Sequence, residues 1–145
     1  MPLDPSVIKR ERIRVGTSDS GEALFVEARG LTAQDFAVLF NEEENAMAAL
    51  FSDAFSWDSG EMIVKEVIVR LPALAALATS LACNDVENAD LYAQLPISKQ
   101  IEILSAVYQL TLPEADSKKK IQQGVGVILG GIVSQASRRS GKVKG

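Results

Sequence analysis

The chain contains no histidine and a single cysteine, Cys83, in 145 residues. Zinc sites built from His and Cys, a His-based catalytic triad and a disulfide framework are therefore excluded within one chain. An enzyme would be left with carboxylate, lysine or serine chemistry, and no catalytic set, metal site or cofactor site is expected. Cys83 follows an apolar run with no basic neighbour in sequence, which reads as a buried small hydrophobe rather than a reactive thiolate. Aromatic residues are scarce at 6%, and the one tryptophan, Trp57, is expected to cap the core. Long apolar runs are missing too. The longest, Val125 to Val133, has nine residues, against the roughly 20 that a membrane helix needs, so no membrane partner is expected. Met1 to Asp4 carries no basic region and no apolar run follows it, so the expectation is a cytoplasmic protein without a targeting signal.

What is present is the composition of one globular domain, 47% hydrophobic and 23% charged. The net charge of −4 conceals a segregation of sign. Residues 1–30 hold five basic and five acidic side chains, residues 31–116 hold three and fourteen, and residues 117–145 hold seven basic and none acidic. This divides the chain into an acidic body, 1–116, and a basic tail, 117–145, which suits either a tail that docks on its own body or an arm for another acidic partner. Lys118 to Lys120 with Arg138, Arg139, Lys142 and Lys144 could contact phosphates, but a body at −11 repels nucleic acid, which makes nucleic acid a disfavoured partner.

Along the chain, the alternation from Ile8 to Val15, the turn-rich Gly16 to Gly21 and the run Ala23 to Ala28 predict a β-hairpin. Thr32 with Asp35 three residues later marks a helix start. From there Phe36, Leu39 and Phe40, then Met47, Leu50, Phe51, Ala54 and Phe55, predict two helices or one bent helix around the polar Asn41 to Asn45. Further helices are expected over about 62–70 and 72–82, divided by Pro72, with the β-branched content of the first leaving a strand as its alternative. The fold class is α+β, mostly α, with an N-terminal β-hairpin on about five or six short helices and a flexible basic C-terminal tail.

Ile97 to Leu112 is apolar on two sides, with Ile97, Ile101, Leu104 and Tyr108 on one and Ile103, Val107 and Leu110 nearly opposite. Such a helix is either the centre of an intramolecular bundle or a core helix whose second face receives an apolar partner. Ile103, Val107 and Leu110 are the candidate partner-binding residues on the second reading. Val125, Ile128, Leu129 and Ile132, in a glycine-interrupted segment poor at holding itself helical, form a second candidate surface. Glu42 to Glu44 reads as a solvated helix end, and Asp85, Glu87 and Asp90 lack the glycine and glutamate of a calcium loop.

The order of Ala28-Arg29-Gly30-Leu31-Thr32-Ala-Gln-Asp35-Phe36, Leu71-Pro72-Ala-Leu74-Ala-Ala-Leu77-Ala, and Leu95-Pro96 with Gln100 and Leu110-Thr111 resembles the tail assembly chaperones, or pre-tape-measure proteins, of long-tailed bacteriophages. The resemblance covers about residues 7–115. It implies a non-enzymatic, mostly helical protein of the infected host's cytoplasm that coats the apolar tape measure protein and assists the tail tube protein to polymerise. It further implies self-association in many copies, absence from the mature virion and, in many members, a longer frameshifted product. A structural component retained in the tail or head-tail region, and a DNA-binding regulator acting through the basic tail, are the alternatives.

Overall fold

The computed structural model describes residues 3–112. A short 3-10 turn, Pro5–Val7, is capped by the Asp4 carboxylate and leads into β1 (Arg10–Thr17), which pairs antiparallel with β2 (Ala23–Arg29). The strand begins two residues later than its alternation predicts, because the Ile8 N–H closes the turn onto the Pro5 carbonyl. Arg10 lies opposite Arg29, Ile13 opposite Val26 and Arg14 opposite Phe25; the register shifts between Arg14 and Gly16. Ile13 and Ala28 are buried, whereas Arg10, Arg12, Arg14, Phe25 and Glu27 are exposed on the other face.

Six α-helices follow among the described residues: α1 (Ala33–Glu42), α2 (Glu44–Leu50), α3 (Gly60–Arg70), α4 (Pro72–Ala82), α5 (Ala89–Gln94) and α6 (Ile97–Thr111). The start of α1 is a full capping box: the Thr32 hydroxyl accepts from the Asp35 N–H, and the Asp35 carboxylate accepts from the Thr32 N–H. Two helices rather than one bent helix cross the polar stretch, because Glu43 leaves helical geometry. The second ends at Leu50, so the buried Phe55 belongs to the turn that follows and not to the helical stripe. Residues 60–70 are helical, which decides against the strand alternative; Val64, Val67 and Ile68 are all buried on one helical face. Leu71 precedes a proline and is held out of the helical region, so α3 ends and α4 begins with Pro72 in its first turn.

The helix α4 ends in a Schellman motif: the Asn84 N–H bonds the Leu81 carbonyl and the Asp85 N–H bonds the Ser80 carbonyl. Asn84 adopts the left-handed backbone that this ending requires, with φ 53°. At the centre of the fold, α6 packs against α3 and α4 and against both strands of the hairpin. Trp57 covers one margin of this core as expected, half-buried, stacked on Phe51 at 5.2 Å, with its indole N–H donating to the Leu50 carbonyl.

The hairpin meets the end of α6 through Gly30. A Cβ there would lie 2.6 Å from the Leu110 carbonyl oxygen, closer than atoms can approach, and the partner is backbone that cannot swing aside. Beside it the Leu31 N–H donates to the Thr111 hydroxyl at 2.8 Å, which itself donates to the Val107 carbonyl. Gly30→Ala is therefore expected to destabilise the fold by about 1–3 kcal/mol. Urea denaturation checks this, with Gly16→Ala, which meets nothing within 4 Å, as the near-neutral comparison.

Candidate partner-binding surface

The helix expected to offer a partner face is instead consumed by the fold. Ile103 is 0% exposed and Val107 is 1% exposed, both within the main apolar cluster together with Ile13, Ala28 and Ile63. Leu110 is half-buried, and its carbonyl is the group that faces Gly30. The two apolar sides of α6 are thus explained inside one chain, since the hairpin takes part of the surface that a partner would have used. Burying a side chain such as Ile103 or Val107 contributes about 1.5–3 kcal/mol, so withdrawing either for a partner would work against folding. The expectation that Ile103 and Val107 form an accessible contact face is corrected accordingly. Val125, Ile128, Leu129 and Ile132 lie outside the described residues.

Exposed apolar side chains sit elsewhere. On α3, Met62 is 60% and Val69 67% exposed; seven residues apart, they share one outward face, flanked by the Glu61–Lys65 and Glu66–Arg70 ion pairs. Leu91 on α5 and Ile97 at the start of α6 are exposed as well. Periodicity could not single out Met62 and Val69, because an apolar residue on the polar side of an amphipathic helix looks like a break in the pattern; Ile97, which it placed on an apolar side of α6, is exposed at the start of that helix.

The polar geometry centres on a residue that the sequence motifs contained without revealing its role. The Arg29 guanidinium, at the end of β2, donates to both Asp35 carboxylate oxygens (2.6 and 3.3 Å), to the Gly30 and Leu81 carbonyls, and to the Asn84 amide oxygen. One side chain therefore joins the hairpin, the start of α1 and the end of α4. Burial alone would raise the Asp35 carboxyl. The hydrogen bond from Arg29, the Thr32 N–H and the guanidinium charge outweigh it and hold the group below its ordinary value of 3.8.

Beside this cluster, Cys83 is half-buried rather than fully buried. Arg29 lies close enough to act on it electrostatically, a basic neighbour that adjacency in sequence hides. The thiol is nevertheless pushed up, chiefly by burial and with help from the Asp85 charge, despite the opposing effects of Tyr92 and Arg29. Asp85 accepts from the Asn88 amide and the Tyr92 hydroxyl, and burial raises the phenol of Tyr92. These groups close the loop between α4 and α5 and hold no activated nucleophile. Glu42, Glu43 and Glu44 mark the junction of α1 and α2, with Glu42 and Glu44 exposed and Glu43 half-buried.

The family model described as pre-tape measure protein matches residues 1–144. The chain belongs to the pre-tape measure protein family, a family of phage tail assembly, whose name associates it with the tape measure protein. No curated protein and no solved structure matches it.

The clasp makes a pH-dependent prediction. Because the Asp35 value is depressed on folding, its contribution is present above 3.8 and is lost as pH falls through the lower folded value. Asp35→Asn is expected to lower stability by about 2–3 kcal/mol at neutral pH and to flatten the loss of stability between about pH 5 and 2. Urea titrations of both proteins across that range measure it. An acid limb parallel to that of the unaltered chain would remove Asp35 as its source.

Proposed function

We propose that this chain is a non-enzymatic tail assembly chaperone that binds the tape measure protein, keeps it soluble and assists the tail tube protein to polymerise around it. The observation that carries this reading is family membership across residues 1–144. In support, the titratable groups gathered around Arg29 are engaged in holding elements together, and the exposed apolar residues lie on helices, suited to helix-against-helix contact with a long apolar client. The outward face of α3, with Met62 and Val69, is the proposed client contact among the described residues. The protein acts in the cytoplasm of the infected host and leaves before the particle is complete.

Co-expression with the tape measure protein of the same phage tests this. Soluble client that co-purifies with the tagged chain is expected, and Val69→Asp is expected to reduce the co-purified client severalfold while the circular dichroism spectrum stays unchanged. Val107→Asp is a control for folding only, since an unpaired carboxylate at that buried position disrupts the core. A client that precipitates regardless, together with this chain in purified particles by mass spectrometry, would replace the chaperone with a retained structural component.

A further inference from the structure

The hairpin is a two-stranded sheet among the described residues, so β1 has β2 on one edge and no strand on the other. It packs chiefly on β2 and α6. Among the described residues, no hydrogen bond from outside the hairpin reaches the main chain of residues 10–15. Such an edge presents a row of N–H and C=O groups at strand spacing, which is a template for one more strand. The register shift between Arg14 and Gly16 ends its regular part, leaving about 17 Å of edge over Arg10 to Arg14.

One face of that edge carries charge of a single sign. Arg10, Arg12 and Arg14 occupy alternate positions of β1, so they project from the same side about 6.7 Å apart, and all three are exposed. The four ion pairs among the described residues engage Arg29, Lys65, Arg70 and Lys99, and none of these three. Glu27 stands opposite Arg12 in the ladder without forming an ion pair with it; Arg12 lies instead over the Phe25 ring at 3.8 Å. Stacking engages the flat face of a guanidinium and leaves its in-plane N–H donors for a carboxylate. Arg14 gives one donor to the Thr17 hydroxyl and keeps the others. Like charges along one strand face repel, so this row is suited to carboxylates set at the same spacing.

We infer that the open edge of β1 takes up an extended acidic segment of another protein as a third strand, with carboxylates at alternate positions against Arg10, Arg12 and Arg14. Main-chain bonds along the edge supply affinity, and the cross-strand charge pairs select the sequence that is added. Residues between the acids fall on the inner side, next to the buried Ile13, where β-branched side chains fit the pleat. Charge on an edge strand also excludes the wrong partner: a second copy of β1 would set arginine against arginine. No stretch of this chain has acids at three successive alternate positions, so the added strand comes from a different protein. Nucleic acid fits less well, because residues 31–112, which adjoin the hairpin, carry twelve acidic and three basic side chains. The inference uses no residue of α3 and holds whichever client that helix contacts.

Fluorescence anisotropy of a labelled short peptide in which glutamate alternates with threonine and valine, titrated with the full chain, reads the contact directly. A peptide of the same composition with its glutamates grouped has equal charge but divides its carboxylates between the two faces of a strand. The alternating peptide is expected to bind about tenfold more tightly than the grouped one, and more weakly as salt rises. Methylating the backbone nitrogens of one alternate set removes the donors that face β1, whereas methylating the other set alters only the outer edge. One of these two peptides is therefore expected to lose binding and the other to keep it. Arg12→Glu is expected to lower the affinity about tenfold. Arg10→Gln, which keeps a polar side chain on the strand, should lower it severalfold with an unchanged circular dichroism spectrum and guards against a misfolded hairpin. Absence of binding, equal binding of the grouped peptide, or indifference to both methylations would overturn the strand addition. So would a single-stranded oligonucleotide of equal charge that binds more tightly than the alternating peptide.

Discussion

The contact between Arg29 and Asp35 ties the hairpin to the start of α1, and the same guanidinium ties it to the end of α4. A two-stranded sheet is marginally stable in isolation and needs a surface to pack on. Apolar contact alone leaves its angle on that surface loosely defined. Arg29 removes this freedom by a fork of donors that reaches the capping carboxylate of α1 and, on the other side, the carbonyl and amide oxygens at the end of α4. Those acceptors are what a helix start and a helix end naturally offer: an acid at the positive terminus and unpaired carbonyl groups at the negative one. With the hairpin fixed there, Gly30 arrives against the Leu110 carbonyl and Leu31 against Thr111, and the core over α6 is closed.

Closing that core decides what remains for partners. The helix α6 spends its apolar faces on α3 and α4 and on the sheet, so the exposed apolar residues of α3 are left at the rim, on its outward side. A protein of phage tail assembly built in this way has a stable interior and an exterior whose apolar residues are dispersed among ion pairs.

Most of the fold was legible from local signals. Thr32 and Asp35 announced a helix start, Pro72 a boundary, and the turn residues between Gly16 and Gly21 a hairpin, because each depends on chemistry within a few residues. Glu43, which separates α1 from α2, was harder, since a break in mid-helix depends on how Met47 and Phe40 reach the core. The burial of Ile103 and Val107 was beyond the periodicity of α6, which reports that two faces are apolar without saying whether hairpin or partner covers the second. The Arg29 clasp was unreadable for the same reason: its acceptors at Leu81 and Asn84 lie 52 and 55 residues away. Arg29, Gly30, Thr32 and Asp35 stand together in the segment that carries the resemblance, and the geometry supplies the reason they occur together.

The bond from the Leu31 N–H to the Thr111 hydroxyl joins residues 80 positions apart and gives the fold an order in time. On a ribosome adding roughly 5–20 residues per second, the chain that carries Leu31 waits about 4–16 s before Thr111 exists. Through that interval the inner face of the hairpin has no α6 to cover it, and Ile13 and Ala28, buried in the finished fold, have only water or a neighbouring nascent chain to meet.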